Sequence, residues 1–138
     1  MTVERFEVGI VSADRTVVDF YAAVFQLDEL SAGEHGVGTL YRLRSPGAVI
    51  KVMVPREPPA DDDRQPFLAH KGLAYLTMFV TDLDSVIERC PARGGTVVRP
   101  AFEFEPGSRL AIIRDPDGNT IEVTEVDPTN QTSPELHP

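Results

Sequence analysis

Along residues 6–11 the chain alternates: Phe6, Val8 and Ile10 fall on one side, Glu7, Gly9 and Val11 on the other, and a period of two predicts a β-strand. At Asp14 the period changes. Val17, Phe20, Tyr21, Val24 and Phe25 recur at helical spacing behind a residue type that caps helix N-termini, which predicts an amphipathic helix. The glycine-containing stretch SAGEHGVG has no period and reads as a loop. TLYRLR and AVIKVMV, separated by SPG, predict a hairpin that Pro55 ends.

The same order then recurs. Leu76, Met78 and Val80 alternate with Tyr75, Thr77 and Phe79; Asp82 opens a helix carrying Leu83, Val86, Ile87 and Cys90; Gly94 and Gly95 end it. TVVRPAFEF, SRLAIIR and NTIEVTEV supply the last strands. Residues 55–72, rich in proline and holding the run Asp61, Asp62, Asp63, read as an irregular linker, and DPTNQTSPELHP as a poorly ordered tail. One domain is expected over 1–126, with halves at 4–54 and 73–126 and the tail at 127–138. The repeat is imperfect, since the apolar stripes of the two helices are two residues out of register when Asp14 and Asp82 are aligned.

Strand parity singles out one face. If the apolar sets Phe6, Val8, Ile10; Ile50, Val52; Leu76, Met78, Val80; and Ile121, Val123 pack on the helices, then Glu7, Lys51, Tyr75 and Glu122 point the other way. Gly9, Val11, Val49, Met53 and Phe79 share their side, which makes it too apolar for open water and predicts a pocket with a few polar groups. Arg42 and Arg44 on the middle strand of the first half, and Phe102, Glu103 and Phe104 in the second, are either walls of that pocket or plain sheet surface or core.

The strand-into-helix segment EVGIVSADRTVVDFYAAVF, its weaker echo YLTMFVTDLDSVIERC and the turn RDPDGNTIEV resemble the vicinal oxygen chelate superfamily. That superfamily includes glyoxalase I, the extradiol dioxygenases, and the bleomycin and fosfomycin resistance proteins, and the resemblance covers residues 4–126. It implies an α+β fold of two tandem βαβββ modules whose curved mixed sheets surround a shared cleft, usually with a divalent metal at its centre. It also implies ligand positions on the first and last strand of each module. Carried over to this chain, the first-strand position lies seven residues before each capping aspartate, at Glu7 and Tyr75. The last-strand position lies four residues after the turn glycines Gly47 and Gly118, at Lys51 and Glu122. These are the residues that parity alone selects.

Their chemistry departs from the family. A catalytic divalent site needs several histidine or carboxylate ligands and an open position, and this set offers two carboxylates, a phenol and an ammonium. An ammonium about 5 Å from a dication at an effective dielectric near 20 costs on the order of 7 kcal/mol. The histidines do not help: His35 falls in the predicted loop, His70 in the linker and His137 in the tail. No metal or other cofactor is therefore expected, with Glu7 and Glu122 the fallback ligands. Lys51 is expected in the metal's place, paired with both carboxylates. The function this supports is small-molecule binding of the glyoxalase/bleomycin-resistance type, with Tyr75, Arg42, Met53, Phe79 and Phe102 contacting the ligand. The alternative is a lyase, isomerase or epimerase in which Glu7 or Glu122 is the general acid or base and Lys51 steadies an oxyanion. A purely structural ion-pair cluster is a third option, so whether the chain is an enzyme stays open.

Composition narrows the partners. The 138 residues carry a net charge of −9 and 41% hydrophobic side chains, ordinary for one globular domain. The acidic balance without a basic patch disfavours nucleic acid and anionic membrane, and it suggests a cationic or neutral ligand. No apolar run approaches the roughly 18 residues of a membrane span, and the N-terminus has no signal-peptide pattern, so a cytoplasmic protein is expected. Cys90, on the apolar side of its helix, is expected to be a core thiol. A homodimer is expected because the family's sheets leave edges that a partner covers, with the cleft built within one chain or between exchanged chains.

Overall fold

A computed structural model of the chain describes residues 2–63 and 65–126. Contacts divide the chain after Asp63 into two compact units. The expected tail, with His137, lies outside the described residues.

The first unit runs β1 (Glu7–Val11), α1 (Thr16–Val24), β2 (Asp28–Glu29), β3 (Gly33–His35), β4 (Gly38–Ser45) and β5 (Ala48–Pro55). β1 pairs in parallel with β5, β5 antiparallel with β4, and β2 and β3 follow one another along the far edge of β4. The link between these short strands stays bonded, since the Leu30 N–H donates to the Arg42 carbonyl at 2.9 Å. α1 covers one face. Its Val17, Val18, Phe20, Tyr21 and Val24 are buried, as are Leu43, Ile50 and Val52 on the strands beneath. The N-cap of α1 is Arg15, without a side-chain cap, and not the expected Asp14; one residue earlier, Asp14 Oδ1 accepts the Thr16 N–H at 2.8 Å, and hydrogen bonds from the side chain and backbone of Thr16 hold that carboxyl below its ordinary range.

The second unit runs β6 (Tyr75–Phe79), α2 (Leu83–Ala92), β7 (Thr96–Glu105), β8 (Ser108–Arg114) and β9 (Thr120–Val126). The sheet order is β6-β9-β8-β7, with β6 parallel to β9 and the other pairs antiparallel. The buried side chains of α2, Leu83, Val86 and Cys90, belong to the same core as Ala111, Ile113, Ile121 and Val123. Asp82 caps α2 by accepting the Ser85 N–H at 3.1 Å. The helix ends where expected. Gly94 adopts φ +88°, its N–H reaches the Pro91 carbonyl at 3.2 Å, and the Gly95 N–H reaches that of Cys90 at 2.9 Å, the double bond of a Schellman ending. Burial pushes the Cys90 thiol up to about 11, in keeping with a core cysteine.

The two mixed sheets and few helices make this an α+β protein of two tandem βαβββ modules, β2 and β3 together standing where β7 stands in the second unit. Three local expectations are corrected. Phe6 precedes β1 and is 76% exposed, so it is no part of the helix-facing set. The stretch read as a loop contains β3, with His35 on it; strands of two and three residues have no room for a period, and their pairing with β4 is made by the backbone. Within the linker, Phe67–Ala69 forms a single 3₁₀ turn. Among the described residues no helix is long and apolar enough to cross a membrane.

Candidate functional site

Each sheet has a face that its helix does not cover, and the strand pairing decides what stands there. In the first unit, three rows cross the sheet on that face: Glu7, Val49, Arg44 and Asp28; then Gly9, Lys51 and Arg42; then Val11, Met53 and Leu40. In the second unit the rows are Tyr75, Thr120, Arg114 and Thr96; then Thr77, Glu122, Ile112 and Arg99; then Phe79, Thr124, Leu110 and Phe102. Gly9 pairs with Lys51, and Thr77 pairs with Glu122. Glu7 thus stands to Lys51 as Tyr75 stands to Glu122, in one register used twice.

The turn before β9 explains how Glu122 arrives there. Buried Asp115 organises it: Oδ1 accepts the N–H groups of Asp117 at 2.9 Å and Asn119 at 3.0 Å, and Oδ2 accepts the Asn119 side-chain amide at 2.8 Å. Gly118 takes φ +89°. The turn sets the phase of β9, which sends Ile121 and Val123 to the core and Glu122 to the other side.

In the first unit the structure brings together Glu7 and Lys51, whose Oε1 and Nζ are 3.8 Å apart. It adds a residue that periodicity does not reach: the Arg5 guanidinium holds Glu7 Oε2 at 2.6 Å from the chain ahead of β1. Arg42, Arg44 and Met53 share this face. An open depression of about 800 Å³, lined by Thr2, Val3, Glu4, Arg5 and Glu7, adjoins it.

In the second unit Glu122 accepts a long hydrogen bond of 3.4 Å from the Thr77 hydroxyl, a residue visible to parity but not singled out. Tyr75 is 51% exposed and meets Phe67 edge to face with ring centroids 5.6 Å apart. Phe67 lies in the linker, where no period marks it. Phe102 carries the Arg99 guanidinium over its ring at 3.6 Å from the centroid, and Phe79 is exposed at the end of β6.

The family's divalent metal does not suit these donors. Both oxygens of Glu7 face cations, Oε2 at Arg5 and Oε1 at Lys51. Among the described residues no group of three or more histidine, cysteine, aspartate or glutamate side chains is placed to hold an ion.

A family model described as the Glyoxalase/Bleomycin resistance protein/Dioxygenase superfamily matches residues 10–123. Among solved structures, the chain is similar to a glyoxalase family protein from Bacillus cereus, with 18% identity and a TM-score of 0.77 over 91% of this chain and 95% of that one. It is also similar to TioX from Micromonospora sp. ML1, with 22% identity and a TM-score of 0.63 over 89% of this chain and 98% of that one. A glyoxalase I mutant from Zea mays shares 16% identity at a TM-score of 0.71, covering 87% of this chain and 43% of the maize chain. At these identities the likeness concerns the fold. No curated protein sequence matches the chain.

Proposed function

The chain belongs to the glyoxalase/bleomycin resistance protein/dioxygenase superfamily, and from that premise we propose that it binds a small organic molecule on a helix-free sheet face without a metal. The observation that carries this is the state of Glu7. A carboxylate with one oxygen 2.6 Å from Arg5 and the other 3.8 Å from Lys51 has cations where a family metal ligand would have the ion. The second face supplies what an organic ligand uses: the exposed rings of Tyr75 and Phe79, the Thr77 hydroxyl and the Glu122 carboxylate.

A lyase, isomerase or epimerase is the second reading, and Glu122 is the observation in its favour. Among the described residues its carboxylate takes only the 3.4 Å hydrogen bond from Thr77, which leaves lone pairs available to accept a proton from a substrate.

Elemental analysis of protein purified without added metal tests the first reading, with native mass spectrometry beside it. Well under one equivalent of Zn, Ni, Fe, Mn or Co is expected, together with an organic adduct that survives chelation. A stoichiometric transition metal that survives dialysis would sink the metal-free reading and restore Glu7 and Glu122 as ligands. A homodimer is proposed with it, on the exposed apolar side chains Val11, Leu73 and Phe79. Light scattering that returns a mass near the 15.2 kDa monomer at micromolar concentration refutes the dimer.

A further inference from the structure

We infer that the helix-free face of the first unit selects small organic anions, with Arg42, Arg44 and Lys51 receiving a carboxylate or phosphate group. The inference rests on the binding reading above and names the class of its ligand.

The rows of that face carry three cations, Arg42, Arg44 and Lys51, against the two carboxylates Glu7 and Asp28, in a chain whose net charge is −9. Arg42 and Lys51 are directly opposed across the antiparallel β4–β5 pair, and Arg44 stands two residues along on the same side. Like charges directly opposed on one sheet face destabilise it. This arrangement therefore works against the fold unless something negative lies between them. The unit's own carboxylates do not fill that role. Glu7 gives its nearer contact to Arg5 at 2.6 Å and reaches Lys51 only at 3.8 Å. Asp28, registered opposite Arg44, makes no ion pair with it. Among the described residues neither Arg42 nor Arg44 has a side-chain hydrogen bond or an ion pair, and both are exposed.

Guanidinium groups present paired N–H donors that match the oxygens of a carboxylate or phosphate, and an ammonium adds a point charge. Val49 lies between Glu7 and Arg44 in the first row, while Val11, Met53 and Leu40 form the third. The favoured anion therefore has an apolar body beside its charged group. This reverses the expectation of a cationic or neutral ligand drawn from net charge. Over distances beyond roughly 8 Å salt screens the acidic remainder of the chain, so the side chains in contact decide the sign.

The test is amide chemical-shift titration of the whole protein at physiological ionic strength with benzoate, phenyl phosphate, inorganic phosphate, benzyl alcohol and benzamidine. Benzoate or phenyl phosphate is expected to shift residues 40–44 and 49–53 saturably, and whichever binds tighter separates carboxylate from phosphate chemistry. Arg42→Gln and Arg44→Gln should each weaken that binding about tenfold, as loss of a charge-assisted hydrogen bond does. Arg42→Lys, which keeps the charge and loses the fork, should fall between. Both arginines are exposed, so thermal melts are expected to show the variants folded. Benzyl alcohol binding as tightly as benzoate, unaffected by the arginine changes, overturns the anion inference and leaves small-molecule binding standing. Inorganic phosphate binding as tightly as phenyl phosphate overturns the apolar body. No binding by any probe counts against both.

Discussion

The two units share a strand register and differ in nearly everything placed upon it. Position for position, Glu7 and Lys51 of the first unit stand where Tyr75 and Glu122 stand in the second. Around them the first unit sets Arg42 and Arg44, whereas the second sets Thr77, Phe79 and Phe102. The helices begin differently as well. Glu125 of β9 accepts the Leu83 N–H at 2.7 Å and holds Arg109 at 3.1 Å, so a strand carboxylate anchors the start of α2. By the shared register the matching residue of β5 is Val54, and α1 is anchored instead by Asp14 and by Arg15, which bridges Asp19 and Glu29 at 2.8 Å each. A repeated backbone thus fixes where side chains point and leaves their chemistry free to diverge.

Ile50 and Ile121 occupy equivalent positions, and both are buried. Ile50→Ala and Ile121→Ala are each expected to destabilise by about 2–5 kcal/mol, from lost transfer energy and the cavity left behind. Urea denaturation measures both. Similar losses in one transition support equivalent cores, whereas two separate transitions with one variant affecting each would show that the units unfold independently.

Glu125→Gln keeps the shape of the α2 anchor but removes the charge that meets the helix start and Arg109. A loss of about 1.5–3 kcal/mol is expected, as for hydrogen bonds to charged groups. Arg15→Ala breaks more exposed pairs in the first unit and should cost below about 1 kcal/mol. If the Arg15 change proves the larger in denaturation experiments, the stated difference between the two helix starts is wrong.

The smallest effect concerns acid. Hydrogen bonds from Thr16 to Asp14 and from Ser85 to Asp82 hold both carboxyls below their ordinary value of 3.8. A depressed carboxyl stabilises the fold above its unfolded pKa, and that contribution is lost as pH falls through the folded value. Asp14→Asn and Asp82→Asn should therefore flatten the decline of the melting temperature below about pH 4. A decline as steep as in the parent protein would remove these carboxyls from the acid response.

Much of this was legible in the sequence, because the relevant physics is local. Alternation in Tyr75–Phe79 and Thr120–Val126 must send neighbouring residues to opposite sides, so the faces of Tyr75 and Glu122 followed once each strand was recognised. Asp82 and Gly94 marked the ends of α2 through capping chemistry that spans a few residues. Phe6 shows the limit: it continues the alternation, yet strand pairing starts one residue later and leaves it exposed.

The order of the longer elements, β2 and β3 aside, and the sides on which Glu7, Lys51, Tyr75 and Glu122 stand in their strands were determined by the sequence itself, since period and turn chemistry act through neighbours in the chain. Tertiary structure decided the rest: the backbone pairing of β2 and β3 on β4, the contacts of Arg5 and Lys51 with Glu7, the ring of Phe67 against Tyr75, and the opposition of Arg42 to Lys51. These join residues with no common period, and their energies depend on distances that exist only after the strands have paired.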